Sequence, residues 1–235
     1  MLELASLSRA FGGLTVIDRL DFTVAAGEIV GIIGPNGAGK TTLFNMIAGV
    51  LPPSRGRVWF EGADITPMKP WQRCRLGIGR TYQTPKPFSH MSVFENVLAA
   101  AVHGGRLSTI RAGAEAMSVL RRTGLLHRAS LPAGQLALLD MKQLELAKAL
   151  AVRPRLLLLD EIAGGLTETE CDILLDTIEA VHREGVTILW IEHVIHALRR
   201  LVSRLAVLSG GDFIAVGGPG EVLADRRVKE AYLGI

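Results

Sequence analysis

The stretch Gly34-Pro35-Asn36-Gly37-Ala38-Gly39-Lys40-Thr41, followed by Thr42, limits more than any other feature what this chain can fold into. A strand-like piece at residues 28–33, apolar over Val30 to Ile33, precedes it, and apolar residues at helical spacing follow it over residues 41–49. A strand, a glycine-rich turn and a helix in that order fill every fixed position of the G-x-x-x-x-G-K-[ST] pattern. Glycines allow backbone N–H groups to close around phosphate oxygens with no Cβ in the way. The helix that starts there adds the positive end of its dipole. Lys40 places a charge on the β- and γ-phosphates, and the Thr41 hydroxyl can ligate Mg2+. The expected ligand of Gly34, Asn36, Gly37, Ala38, Gly39, Lys40, Thr41 and Thr42 is therefore ATP with Mg2+.

A second motif supplies what such a loop lacks. Four leucines at residues 156–159 lead to Asp160 and Glu161. A buried strand ending on Asp160 sets a carboxylate where it can hold the Mg2+ shell, and Glu161 is placed to orient or deprotonate an attacking water.

Further strands are read at residues 2–7, 20–24, 57–61, 186–191 and 204–208, and a helix at 169–183. The helix over 41–49 is expected to stop at Gly49, with Pro52 and Pro53 beyond it. Strands separated by helices indicate a parallel sheet in an α/β core. Between residues 88 and 151 the pattern turns Ala- and Leu-rich with helical periodicity. The expected architecture is a P-loop NTPase (RecA-like) parallel sheet core with an N-terminal antiparallel β region and an inserted helical subdomain. Residues 1–235 then form one domain, with 1–87 and 152–235 as the nucleotide-binding core and 88–151 as the insert.

Composition narrows the setting. Hydrophobic residues make up 49% of the chain, yet no run approaches the ~18 uninterrupted apolar residues of a membrane span. The start MLELASLSRAFGG lacks a basic region followed by an apolar run and a cleavage site, unlike a secretory signal. Cys74 and Cys171 are isolated, which points to a reduced, cytosolic compartment rather than a disulfide framework. The net charge of +3 comes from scattered basic residues without interleaved aromatics, so no nucleic-acid partner is expected.

Four weaker features, taken in order around the two motifs, resemble the ATP-binding subunits of ABC transporters. Gly79-Arg80-Thr81-Tyr82-Gln83 looks like that family's Q-loop, which implies that Gln83 reaches Mg2+ and the attacking water. Ile191-Glu192-His193 looks like the switch histidine loop, with His193 on the γ-phosphate. Phe11 stands where the family stacks an aromatic on adenine, and Gly165-Leu166-Thr167 stands where its D-loop lies. FGGLTVIDRLDF, GIGRTYQTPKPFSHMSVFENVLAA and the ending GPGEVLADRRVKEAYLG narrow the likeness to branched-chain amino acid importers of the LivG type. The resemblance implies a subunit on the cytoplasmic face of a bacterial plasma membrane. Its implied partners are permease subunits, a second ABC ATPase and, indirectly, an extracytoplasmic solute-binding protein. An ABC ATPase serving urea, amides, aromatic acids or lipid is an alternative, as is a non-transport switch protein.

The chain also departs from that family. The signature motif, L-S-G-G-Q in type, has a decoy at Leu131-Pro132-Ala133-Gly134-Gln135. Registering residues 142–151 and 156–160 against the family places it instead at Leu136-Ala137-Leu138-Leu139-Asp140. There Ala137 lacks the hydroxyl, Leu138 and Leu139 crowd the backbone, and Asp140 adds a charge unsuited to phosphate unless Mg2+ or a base screens it. Asp140 is expected to N-cap the next helix, with Gln143 completing a capping box. Thr167 replaces the usual Asp or Asn, and Ile162 the usual Pro. A weak signature favours a heterodimer, in which a partner's intact signature serves this chain's own phosphate loop, with a homodimer as the alternative.

Overall fold

The computed structural model describes residues 1–233. Gly234, which closes the ending quoted above, lies outside the described residues, as do the side chains of Tyr232 and Leu233. The chain runs β1 (Leu2–Phe11), β2 (Leu14–Val24), β3 (Ile29–Ile33), α1 (Lys40–Ile47), β4 (Arg55–Phe60), β5 (Ala63–Asp64) and α2 (Pro70–Arg75). It continues through β6 (Ile78–Arg80), α3 (Val93–His103), α4 (Thr109–Arg122), α5 (Leu138–Ala151), β7 (Leu156–Asp160) and α6 (Glu168–Arg183). It ends with β8 (Thr187–Ile191), α7 (Ile195–Leu201), β9 (Arg204–Ser209), β10 (Asp212–Gly217), α8 (Pro219–Ala224) and α9 (Arg226–Leu233). Two compact units result, Met1–Arg73 with Thr187–Ile235, and Cys74–Val186.

In the first unit β1 lies antiparallel between β2 and β4, with β5 beyond β4. Leu2, Leu4 and Leu7 of β1 are buried. The step from Leu4 to Leu7 breaks strict alternation because the register shifts there, at Ser6 with φ 47°. The other layer pairs β3 in parallel with β8 and β9, and β10 returns antiparallel to β9. Every residue of β3 and β8 is buried, which is why their sequences are continuous apolar runs rather than alternating ones.

Helix α1 has only eight residues, too short to be stable on its propensity alone. Leu43, Phe44, Met46 and Ile47 anchor it in the core. Its C-terminal carbonyls are met by Arg73, whose Nη1 donates to Met46 O at 2.7 Å and to Ile47 O at 2.8 Å. Arg73 is 1% exposed and also donates to Thr66 O and Met68 O. Gly49 follows the helix with φ 77°, and a Cβ there would come within 2.7 Å of Arg73 Nε. The expected glycine stop thus has a packing reason as well as a conformational one.

In the second unit β6 pairs in parallel with β7, whose five residues are all buried. Helix α3 packs on α4 and α5. It opens with a capping box, Ser92 Oγ accepting from Glu95 N while Glu95 Oε2 accepts from Ser92 N. Helix α6 opens the same way through Thr167 and Glu170.

Several expectations need correction. Asp140 does not cap α5: Ala137 occupies the N-cap with no side-chain hydrogen bond, and Asp140 sits in the first turn. The helix starts two residues before Asp140 because an extended Ala137 (φ −68°, ψ 168°) already releases the chain into it. Gln143 is buried and completes no box. Strand β4 ends at Phe60, since Glu61 turns away with φ 51°. The β9–β10 hairpin, turning at Gly210 and Gly211, extends the strand read at 204–208.

Candidate active site

In the first unit, Ile32 of β3 lies opposite Ile191 of β8, and the two strands are parallel. Both therefore end at one edge of the sheet, β3 delivering the 34–42 loop and β8 delivering Glu192 and His193. Gly34 is required by contact: a Cβ there would lie 2.2 Å from the Leu208 carbonyl oxygen of β9. Gly39 is required by conformation, with φ 102° as the N-cap of α1. That cap offers no side-chain acceptor, so the amides opening α1 are not satisfied from a capping side chain. An anion at a helix N-terminus fits such a cradle. Lys40 Nζ donates to Gly34 O at 2.6 Å and Pro35 O at 3.1 Å, which keeps the ammonium over its own loop. Asn36, Gly37 and Thr41 are exposed, Thr42 is half-buried, and Ala38 is buried.

Phe11, at the end of β1, is 47% exposed, and the Arg9 guanidinium stands 4.6 Å from its ring centroid. His193 follows β8 with most of its ring in solvent. Glu192 beside it is fully buried; its Oε1 accepts from His193 N at 2.8 Å and Val194 N at 3.2 Å and lies 3.4 Å from His193 Nδ1. This carboxylate fixes the turn that carries the histidine. The sequence reading quoted Glu192 but assigned it no role.

In the second unit, the parallel β6–β7 pair brings Gln83, Asp160 and Glu161 together. Gln83 Nε2 donates to Glu161 Oε2 at 2.6 Å. Glu161 has φ 46°, a left-handed backbone that a non-glycine residue holds only when its surroundings impose it. Asp160 is almost fully buried and pairs with Arg80 Nη2 at 3.0 Å, while Thr81 Oγ1 accepts from Asp160 N at 3.1 Å. The Arg80 guanidinium also stacks 5.1 Å from the Tyr82 ring centroid, which ties the run before Gln83 to the acidic strand end.

Sequence reasoning missed Lys142. This lysine of α5 is 3% exposed and donates from Nζ to Gln83 O at 3.0 Å and to Glu161 O at 3.3 Å. Nothing local marks it, since Asp140, Gln143 and Glu145 around it make a lysine here look solvated. The segment 136–140 opens α5, whereas the decoy is a short turn over Ala133–Gln135. That turn is pinned by Ala133 N to Met91 O and Gly134 N to Ser89 O. Asp140 Oδ2 lies 3.5 Å from Arg128 Nε, a base of the kind that can screen an acid at this position. Thr167, read as a D-loop departure, is the N-cap of α6; the [ST]-x-x-E spacing to Glu170 is the signal that could have shown it.

No helix among the described residues is long and apolar enough to cross a membrane. The chain's sequence matches the ABC transporter family model over residues 17–164, well over half its length. It is 35% identical to the high-affinity branched-chain amino acid transport ATP-binding protein LivG of Salmonella typhimurium, across 100% of this chain and 98% of that one. It is 32% identical to the lipopolysaccharide export system ATP-binding protein LptB of Escherichia coli, across 97% and 95%. Among solved structures it resembles a nucleotide-free ATP-binding cassette from an ABC transporter, with TM-score 0.91, 31% identity and coverage of 100% and 99%. The ADP conformation of an ATP-binding cassette resembles it with TM-score 0.90, 31% identity and coverage of 100% and 99%. A strand-loop-helix that cradles anions, an acidic strand end and likeness along the full chain meet in one conclusion: the chain belongs to the ABC transporter family, as an ATP-binding, ATP-hydrolysing subunit.

Proposed function

We propose that this subunit energises uptake of branched-chain amino acids or a related small polar solute. The observation that carries the reading is the full-length likeness to the LivG protein, at 35% identity over 249 aligned residues. The likeness to the LptB protein favours a second reading, in which the cargo is a lipid or another solute. Deleting the gene and measuring uptake of labelled leucine, isoleucine and valine separates the two. Uptake that falls and returns on complementation supports the first, and unchanged uptake overturns it.

ABC ATPase subunits act as dimers with permease partners. We place this one at the cytoplasmic face of a bacterial plasma membrane, beside two permease subunits that receive solute from an extracytoplasmic binding protein. Within the single domain of residues 1–235, we assign 88–151 as the helical subdomain, supported by the mutual packing of α3, α4 and α5. The core is then 1–87 and 152–235.

The residue roles follow from chemistry. The 34–42 loop holds the triphosphate through backbone amides, with Lys40 on the β- and γ-phosphates, and Phe11 stacks on adenine. The donors assigned to Mg2+, the Thr41 hydroxyl, the Asp160 carboxylate and the Gln83 amide oxygen, are hard oxygens of the type that ion takes. Mg2+ supplies charge neutralisation between the phosphates. Glu161 accepts the proton of the attacking water, and Gln83 holds the Glu161 carboxylate in place. His193 donates to the γ-phosphate from a turn fixed by Glu192. The N-cap of α5 is Ala137, with no hydroxyl to offer an opposite subunit's phosphate, and this supports a heterodimer in which the other ATPase supplies the intact signature. Typical importer ATPase rates from this chain purified alone would overturn the heterodimer.

A further inference from the structure

We propose that Lys142 is a positioning residue through which α5 sets the geometry of Glu161. The inference rests on the reading of Glu161 as the base and Gln83 as its neighbour in the site, and assigns them a shared support.

The Lys142 ammonium is buried, a costly placement for a charge unless its donors are used. It donates to the carbonyls of Gln83 and Glu161, while the side chains of those two residues bond each other at 2.6 Å. The result is a closed ring: Gln83 side chain, Glu161 carboxylate, Glu161 carbonyl, Lys142 ammonium, Gln83 carbonyl. Glu161 is held at both ends, its carboxylate by Gln83 and its backbone by Lys142. The backbone hold matters because Glu161 sits at φ 46°, a conformation that relaxes when its restraints are removed.

Two more residues of α5 grip the same loop one and two turns on. Glu145 Oε1 accepts from Lys86 N at 2.8 Å, and Lys148 Nζ donates to Lys86 O at 2.8 Å. Lys142 therefore acts with a rigid helix behind it. It lies just beyond the 136–140 segment, where the register against the family places the signature. A shift of α5 by about 1 Å takes a 3.0 Å hydrogen bond beyond its working range. Movement at the start of α5 is thereby passed to the water-activating carboxylate through one side chain.

The test uses the assembled transporter purified with its permease and second ATPase subunit, comparing wild type, Lys142→Met, Lys142→Arg and Glu161→Gln. Lys142→Met keeps the length of the side chain without its donors. The expected result is a fall in kcat of about 10- to 100-fold, with ATP affinity within about twofold. Hydrogen exchange in segments 82–87 and 160–165 should rise in the same variant and not elsewhere. Lys142→Arg should restore most of the rate and the protection. Lys142→Met with wild-type kcat overturns the proposal, as does kcat and ATP affinity falling together, or an arginine variant no better than methionine. If Lys142→Met does not fold, the arginine comparison and its exchange pattern decide. Glu161→Gln separates the two claims: hydrolysis that survives it sinks the reading of Glu161, whereas its loss beside an unaffected Lys142→Met sinks this proposal alone.

Discussion

Replacing Arg73 with methionine removes the anchor at the far end of the helix that begins at the phosphate loop. The guanidinium donates to four carbonyls, Met46 at 2.7 Å, Ile47 at 2.8 Å, Thr66 at 3.0 Å and Met68 at 3.1 Å. Two of these are C-terminal carbonyls of α1, and Met46 O accepts as well from Gly49 N at 3.3 Å. Charge-assisted hydrogen bonds contribute about 2 kcal/mol each. Burial opposes them: it pushes the Arg73 pKa down to about 10, with Asp64 pulling the other way. The hydrogen bonds are the larger effect, and removing the guanidinium is expected to cost about 5 kcal/mol, the upper end for removing one partner of a buried charged contact. For a chain of this size each kcal/mol moves the melting temperature by about 2–4 °C, so a drop of at least 10 °C is expected by calorimetry. Arg73→Lys, which keeps the charge and loses the fork, should fall between. ATP affinity of the folded variant should stay within about threefold, since the contact lies at the opposite end of α1 from the loop. A methionine variant within 1 kcal/mol of wild type would refute the reasoning.

Thr167→Ala should cost about 1 kcal/mol in denaturant unfolding through loss of the α6 cap. Backbone and side-chain hydrogen bonds from Thr167 hold the Glu170 carboxyl below its ordinary value. Its contribution is therefore fully present above the unfolded glutamate pKa and is lost as pH falls through the lowered folded one. Titration of the Glu170 carboxyl by NMR should show that lowered midpoint, and an ordinary one would refute the capping box. Gly34→Ala should abolish ATP binding in a calorimetric titration, because its Cβ would meet the Leu208 carbonyl at 2.2 Å. Gly37→Ala meets nothing within 4 Å and carries only the strain of φ 82°, so it should bind ATP more weakly without losing it.

The loop at 34–42 was legible because each of its residues obeys a local rule: apolar run before, glycines at the turn, helix after. The β7 end at Asp160 and Glu161 was legible for the same reason. What the sequence hid is contact made at a distance. Arg73 looks like a surface arginine in WQRCR until α1 is laid over it, and Arg128 lies twelve residues from the Asp140 it faces. Lys142 is concealed within a helical pattern whose buried face is unusually wide, with Lys142, Gln143 and Glu145 inside it. Asp140 misled because capping residues favour the position before a helix, whereas here an alanine takes that place and the acid serves the first turn. Thr167 shows the reverse case: its spacing to Glu170 states a helix start, but the same residue falls in the segment that resembles a D-loop.

On the function proposed above, ATP held on the 34–42 loop is cleaved by water activated at Glu161. Glu161→Gln in the assembled transporter, loaded with labelled ATP and followed through a single turnover, tests it most directly. ATP should stay bound and uncleaved, with the hydrolysis rate down at least about 100-fold. Lys40→Ala in the same assay should fail earlier, by not retaining ATP at all. Hydrolysis at the wild-type rate by the Glu161→Gln subunit, with its ATP bound as before, would contradict the claim.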